Sequence, residues 1–150
     1  MDRATYAVGA LVLALSSSAC GGDGGGDGGG DAGGDAGGAA DLQTIATEYQ
    51  FEPSSWTVEA GADTSIRVDN EGQIVHEWVV LAEGRTIESE DELPEDESVF
   101  ESEWVDTEVE VEAGESATHE FTAPAAGTYQ VICAIPGHFD AGMEGTLTVE

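Results

Sequence analysis

From Asp41 to its C-terminus, the chain consists of short runs in which hydrophobic and polar positions alternate. Thr64–Val68 and Thr146–Val149 are clear examples, and β-branched and aromatic residues are frequent in the runs. Such runs are typical of half-buried β-strands, and the glycines, prolines and asparagines between them are typical of turns. The pattern predicts strands near Gln43–Tyr49, Trp56–Glu59, Asp63–Asp69, His76–Leu81, Glu108–Val111, Ser116–Thr122, Thr128–Ile132 and Gly145–Val149.

These short strands, without any long helical period among them, predict an all-β domain over residues 41–150. The expected architecture is an antiparallel Greek-key β-sandwich. One segment departs from the pattern, because Ala82–Glu103 is dense in acidic residues and poor in apolar ones. We expect this segment to be a surface excursion that includes one helical turn, and we favour a solvated loop over a dedicated docking patch.

The first part of the chain has a different composition, which predicts an export signal at residues 1–19. An apolar run from Tyr6 to Leu15 is followed by the small residues Ser16–Ala19. The run is too short to remain as a membrane span, so it favours a cleaved secretory signal. Small residues directly before Cys20 resemble a bacterial lipobox, in which the Cys is lipidated and becomes the mature N-terminus. The alternative is an ordinary secretory signal with an incidental Cys.

Residues 20–40 predict a flexible tether behind this lipid anchor. Gly21–Ala40 contains only glycine, alanine and four aspartates, and such a composition has nothing to bury in a core. The three segments together predict a lipoprotein that is exported to the outer face of the cytoplasmic membrane.

The charge of the chain excludes several kinds of partner. There are 32 acidic residues against three arginines, which gives a formal net charge of −29. Nucleic-acid binding through a basic patch is excluded, and so is attraction to anionic lipid, which leaves the lipid anchor as the only membrane attachment. Such acidity is typical of proteins from halophilic organisms, and the alternative is docking to a basic partner. We expect a monomer.

Three metal-binding side chains stand at equal spacing near the C-terminus, with four residues between Cys133 and His138 and four between His138 and Met143. Their thiolate, imidazole and thioether groups suit copper, and a Cys/His/His site with a weak axial Met is typical of blue-copper centres. If Cys20 is lipidated, Cys133 is the only thiol of the domain, which favours metal ligation. We therefore predict one copper ion per chain, cycling between Cu(I) and Cu(II).

Such a site needs a second histidine, and two candidates remain. His76 stands at the head of a predicted strand just after a turn, where it can converge with a loop at one end of the sandwich. His119 lies in mid-strand, in phase with Ala117 and Phe121, as is typical of a histidine in the core or at its boundary. We predict His76 as the ligand and keep His119 as the alternative.

Several segments of residues 45–150 resemble the cupredoxins, the family of small blue-copper proteins. The length of the Cys-x4-His-x4-Met loop is similar to that of the auracyanins and rusticyanin rather than plastocyanin. The resembling segments are Phe51–Pro53, Trp56–Gly61, Asn70–Val80, Gly127–Cys133, Pro136–His138, Gly142–Gly145 and Thr146–Val149.

The resemblance implies a complete ligand set. His76, Cys133 and His138 would be the equatorial ligands of copper, and Met143 the axial ligand. The residue after the first His would donate its backbone N–H to the Cys sulfur. Here that residue is Glu77, and hydrogen bonds to the thiolate are one means of tuning the redox potential.

Four protein ligands leave no open position for a substrate, which argues against an enzyme. The leading hypothesis is one-electron transfer between membrane-associated redox proteins. Electrons would pass through the imidazole edge of His138, inside a docking patch formed by Pro136, Phe139 and Ala141. Two alternatives remain, an extracytoplasmic copper chaperone or scavenger, and a purely structural sandwich whose Cys is incidental.

Overall fold

The computed structural model describes residues 40–150, which form a β-sandwich of nine strands with one α-helix. The predicted signal peptide, Cys20 and the predicted tether up to residue 39 lie outside the described residues. Within them, no helix is long and apolar enough to cross a membrane. The strands are β1 Leu42–Thr47, β2 Gln50–Glu52, β3 Ser55–Val58, β4 Asp63–Asn70, β5 His76–Leu81, β6 Val105–Val111, β7 Ser116–Thr122, β8 Gly127–Ile132 and β9 Glu144–Val149.

Two sheets form the sandwich, and this confirms the predicted all-β architecture. One sheet has the strand order β2-β1-β4-β7, and the other has the order β3-β9-β8-β5-β6. The expectation of purely antiparallel sheets is wrong in detail, because β1 pairs with β4 and β3 pairs with β9 in parallel. Alternation of side chains assigns a strand's faces but carries no information on the direction of its neighbour, so the sequence did not reveal these pairs.

The main core lies between the two sheets and is built from inward-facing residues of both. Trp78 is fully buried at its centre and meets the ring of Trp56 edge-on, with 5.6 Å between the centroids. Ile66 and Val68 of β4 and Leu147 of β9 belong to the same cluster. The apolar residues of these alternating strands therefore face the core, as the period-two pattern predicts.

A second hydrophobic cluster lies on the outer face of the five-stranded sheet. Val79 and Leu81 alternate along β5 with Trp78 and Val80, so the two pairs face opposite sides of the sheet and all four are buried. Residues of the acidic excursion cover this outer face, among them Ile87 and the partly buried Leu93 and Phe100, together with Trp104 directly after the excursion.

The excursion is therefore more structured than the sequence indicates. It contains a 3-10 turn at Glu90–Glu92 and the helix α1 at Glu97–Glu103, which is seven residues long. Asp96 caps α1, because its side chain accepts a hydrogen bond from the backbone N–H of Ser98. The expectation of a solvated loop is wrong for its apolar residues, since Ile87, Leu93 and Phe100 pack against the outer face of the sheet.

Candidate metal centre

Strand pairing brings the predicted ligands to one end of the sandwich. β5 and β8 are antiparallel neighbours with Val79 opposite Ile132, so the start of β5 and the end of β8 lie at the same end of the sheet. His76 begins β5, and Cys133 directly follows β8. His138 lies on the loop between β8 and β9. All three side chains are buried, with exposed fractions of 0%, 0% and 4%.

The donor atoms of these three residues converge on one point. His76, Cys133 and His138 each offer one ligand atom, and the three atoms lie within 4.8 Å of one another. The Nδ1 atom of His138 is 3.3 Å from Nδ1 of His76 and 3.2 Å from Sγ of Cys133. Two imidazole nitrogens and a thiol sulfur at one buried point form a donor set that fits copper.

Met143 closes the loop that carries His138 and is fully buried. Its backbone N–H donates to the carbonyl of His138 at 3.0 Å, and its carbonyl accepts from the N–H of Cys133 at 3.1 Å. Met143 also belongs to the same core cluster as Cys133. The five-residue spacings from Cys133 to His138 and on to Met143 thus correspond to one compact loop with its ends hydrogen-bonded.

Glu77 contributes a backbone group to the sulfur. Its N–H donates to Sγ of Cys133 at 3.4 Å, which is the contact that the family resemblance implies. The Glu77 side chain points elsewhere, to a group of carboxylates that includes Glu97, Glu108 and Glu110.

His119 takes no part in this cluster. It lies on β7 in the other sheet, where its Nε2 is 2.8 Å from the hydroxyl of Thr107. Its ring stacks on Phe121 with 6.3 Å between the centroids. The hydrogen bond to Thr107 and the packing on Phe121 give His119 a structural role. The alternative assignment of His119 as the ligand is therefore not supported.

The turn before His76 is held by a side chain whose role the sequence did not reveal. Asn70 is buried, and its amide nitrogen donates to the carbonyls of Ile74 and Val111, at 2.8 Å each. Its side-chain oxygen accepts from the N–H of Gly72 at 2.9 Å. In the sequence, the asparagine indicated only a local turn, and it gave no sign of the hydrogen bond to β6.

Gly72 packs directly against the first histidine. A Cβ atom at this position would lie 3.0 Å from Nε2 of His76 and 2.9 Å from a carboxylate oxygen of Glu48. Within the described part of the chain, Nε2 of His76 is buried and lacks a hydrogen-bond partner. The turn therefore approaches the imidazole closely, and a side chain at position 72 would have to displace its neighbours by a few tenths of an ångström.

Burial sets the protonation of the cluster. It lowers the pKa of His76 and of His138 below the ordinary value, so both rings are neutral near pH 7, as metal ligation requires. Burial also raises the pKa of the Cys133 thiol to about 11, against the opposing effect of the Glu77 N–H. A bound metal must displace that proton, because the thiolate is the ligating form.

The predicted docking patch is only partly exposed. Pro136 and Ala141 face solvent, but Phe139 is only 7% exposed and packs into the second cluster with Ile87 and Ile132. Phe139 is therefore removed from the patch, because the turn after His138 directs its ring under the excursion.

Tyr49 is an aromatic neighbour of the site that the sequence analysis missed. Its ring meets His138 edge-on with 5.2 Å between the centroids, and 43% of the residue is exposed. Its φ of 75° places it in the tight connection between β1 and β2. Nothing in the local sequence indicates this contact, because Tyr49 and His138 are far apart along the chain.

Comparisons with known proteins agree with this fold and donor set. Residues 39–150 match the copper binding proteins of the plastocyanin/azurin family. Auracyanin-A of Chloroflexus aurantiacus is 35% identical over 153 aligned positions, covering 91% of this chain and 90% of that protein. A shorter match of 37 residues is 62% identical to Auracyanin-B of the same organism, and it covers 25% of this chain and 16% of that protein.

Two further relatives extend the comparison. Copper-resistant cuproprotein CopI of Rubrivivax gelatinosus is 33% identical over 101 residues, which is 67% of this chain and 59% of that protein. The crystal structure of dithionite-reduced auracyanin from Roseiflexus castenholzii superimposes with a TM-score of 0.60 at 25% identity, covering 73% of this chain and 95% of that chain. With its sandwich and its buried His/Cys/His cluster, the chain belongs to the plastocyanin/azurin family of copper-binding proteins, the cupredoxins.

Proposed function

We propose that the chain carries single electrons between redox proteins through a mononuclear copper site. His76, Cys133 and His138 would be the equatorial ligands and Met143 the axial ligand. The observation that carries the proposal is the convergence of the three donor atoms within 4.8 Å in a fully buried position. The auracyanin relatives support it, since one of them is described as a "blue" copper protein.

The chain's own residues provide what such a site needs. Copper, when bound, supplies the one-electron couple. The β-sheet fixes His76 and Cys133 at the ends of adjacent strands, which holds their donor atoms close together. Burial keeps water away from the sulfur, and the Glu77 N–H stabilises the thiolate. A rigid, preformed site needs little rearrangement when its charge changes by one.

The surface near His138 would be the docking face. Pro136 and Ala141 are exposed there, and Tyr49 adds an exposed aromatic ring in contact with the imidazole. Small, partly apolar faces suit the weak and fast encounters of electron carriers. A closed set of four protein ligands supports a carrier rather than an enzyme.

The absorption spectrum of the copper-loaded protein tests the proposal. We expect an intense visible charge-transfer band for the oxidised protein that bleaches reversibly with dithionite. Cys133→Ser should abolish this band because it removes the thiolate, whereas His119→Gln should keep it. A band of equal intensity in Cys133→Ser would contradict the assignment.

The N-terminal segments support a proposal on location. Residues 1–19 would direct export, Cys20 would be lipidated, and residues 21–40 would tether the copper domain to the outer face of the cytoplasmic membrane. Cys20→Ser should release the protein from the membrane fraction and remove its labelling by palmitate. Unchanged membrane association would show that the lipid is not the anchor.

A copper-handling role is the second candidate, and the similarity to a copper-resistant cuproprotein favours it. A scavenger or chaperone of this kind would pass its copper to an acceptor. Stopped-flow transfer to a copper chelator distinguishes the two functions. Release within seconds, without redox cycling, would favour copper handling, and retention of copper through repeated cycles would favour electron transfer.

A further inference from the structure

The acidic excursion contacts the ligand loop through one carboxylate, that of Glu90. One carboxylate oxygen accepts from the backbone N–H of Gly137 at 2.7 Å. The other accepts from the N–H groups of Phe139 at 2.9 Å and Asp140 at 3.3 Å. In return, the N–H of Glu90 donates to a carboxylate oxygen of Asp140 at 3.0 Å.

These contacts enclose His138 on both sides along the chain. Gly137 and Phe139 are its immediate neighbours, and both donate to the same carboxylate. Gly137 has a φ of 87°, a conformation that turns the backbone and helps its N–H converge with that of Phe139. Charge-assisted hydrogen bonds of this kind are stronger than neutral ones.

The apolar side of the same loop is also fixed to the excursion. Phe139 is buried against Ile87, three residues before Glu90. The excursion therefore contacts the loop at two adjacent points. Ile87 packs against the buried ring of Phe139, and the Glu90 carboxylate accepts hydrogen bonds from the loop backbone. Neither contact involves a candidate ligand side chain, so both act on His138 through the backbone.

We propose that Glu90 is a positioning residue of the metal centre, a carboxylate clamp that fixes the backbone around His138 and places a negative charge beside the site. The clamp itself is a property of the folded chain. Its effect on the redox potential rests on the proposed electron-transfer function. It gives the acidic excursion a role in the centre in addition to covering the sheet.

The negative charge of Glu90 and its hydrogen bonds to the loop should have different effects, which can be measured separately. A negative charge near the site stabilises the oxidised form, which carries one more positive charge than the reduced form, so removing it should raise the redox potential. Losing the hydrogen bonds should free the Gly137, Phe139 and Asp140 amides to exchange with solvent.

Amide hydrogen exchange of the metal-free protein tests the clamp directly. Glu90→Gln keeps the shape of the side chain but replaces one acceptor oxygen by an NH2 group. We expect the amides that lose their acceptor, either that of Gly137 or those of Phe139 and Asp140, to exchange at least about tenfold faster. The matched control is Asp91→Asn, which removes one charge from the same turn and should leave these rates unchanged. Core amides such as that of Val131 report whether each variant is folded.

Redox titration of the copper-loaded protein tests the effect on the centre. Glu90→Gln should raise the potential more than Asp91→Asn does. Glu90→Asp keeps the charge but shortens the side chain, so it should keep most of the original potential while its loop amides exchange faster.

The outcomes distinguish the two proposals. Unchanged exchange in Glu90→Gln would overturn the clamp, whatever the spectrum of the protein. Equal potentials in Glu90→Gln and Asp91→Asn would overturn the effect of Glu90 on the centre. Absence of a charge-transfer band in the unmodified protein would instead contradict the proposed function, and the exchange data would still report on the clamp.

Discussion

Asn70 links the turn before His76 to strand β6 through its side chain. The side chain satisfies two backbone carbonyls and one backbone N–H, and it is buried. Groups of this kind cost free energy when they lose their partners away from water. A single polar residue thus holds the start of β5 at the place where the metal centre needs it.

Replacing Asn70 should therefore destabilise the fold near the centre. Asn70→Ala leaves the carbonyls of Ile74 and Val111 without this donor, and we expect the free energy of unfolding to fall by about 2–4 kcal/mol. Urea denaturation of the metal-free protein measures the change. Gln73→Ala, an exposed position in the same turn, is the control and should change it by less than about 0.5 kcal/mol. Equal effects would show that the Asn70 hydrogen bonds contribute little.

The Glu77 carboxyl gives the protein a pH-dependent stability. Burial, followed by the charges of Glu108 and Glu110, raises its pKa from 4.5 to about 7. A raised pKa means that the folded state holds the proton more tightly than the unfolded state. The resulting stabilisation is complete below about pH 4.5 and is lost as the pH rises through 7.

Glu77→Gln should remove this dependence. The difference in unfolding free energy between Glu77→Gln and the unmodified metal-free protein should grow in favour of the variant from pH 5 to pH 8. Glu112→Gln, at an exposed position just after β6, is the control for the loss of one carboxylate. Urea denaturation at a series of pH values provides the comparison, and a constant difference for Glu77→Gln would contradict the raised pKa.

At the scale of the elements, the parallel pair β3–β9 depends on close approach at Gly145. The carbonyl of Ser54 accepts from the N–H of Thr146 at 2.9 Å, which brings the two backbones together. A Cβ atom at Gly145 would lie 2.6 Å from that carbonyl oxygen and 2.7 Å from the Trp56 ring. Neither neighbour is a flexible side-chain end, so one of the strands would have to move.

Gly145→Ala should accordingly destabilise the sandwich. We expect a loss of about 1–3 kcal/mol in the free energy of unfolding, as for other overpacked positions. Thr146→Ala, an exposed neighbour in the same strand, is the control for strand propensity and should cost less. Thermal or urea denaturation measures both, and a neutral Gly145→Ala would mean that β3 and β9 separate easily.

The excursion shows where sequence reasoning at this scale reaches its limit. Its acidity correctly indicates a surface position, but its few apolar residues cover the outer face of β5 and its Glu90 reaches the ligand loop. Composition describes what a segment exposes on average. It does not show which of its residues meet strands that are distant along the chain.

For the whole molecule, the dominant physical feature is uncompensated negative charge. The net charge is −29, and the described part of the chain has only two ion pairs, Arg67–Asp69 and Arg85–Glu103. Self-repulsion of this kind destabilises the compact state and weakens as salt screens it. The acidity thus fits a saline environment, and docking to a basic partner stays the alternative.

Salt should therefore stabilise the protein. Raising NaCl from about 0.1 M to about 1 M shortens the screening length from about 10 Å to about 3 Å, so the melting temperature of the metal-free protein should increase. KCl should give the same curve, because screening depends on ionic strength rather than on the ion. A melting temperature that stays constant or falls as salt is added would show that charge repulsion contributes little to the stability of the folded protein.

The sequence alone determined which chemistry this protein carries and the kind of fold that holds it. Alternation along the strands indicated a sandwich, because side-chain period is a local property of extended backbone. The candidate ligands were predicted from donor chemistry and from the equal spacing around His138, and His76 was preferred over His119 because it stands at a strand end.

Only the tertiary structure decided the features that depend on contacts between distant segments. The parallel pairing of β1 with β4, the burial of Phe139, the contact of Tyr49 with His138 and the Glu90 clamp all belong to this group. Local sequence sets the period of a strand and the types of its side chains. Which residues then meet depends on how all the strands pack together, and no single segment contains that information.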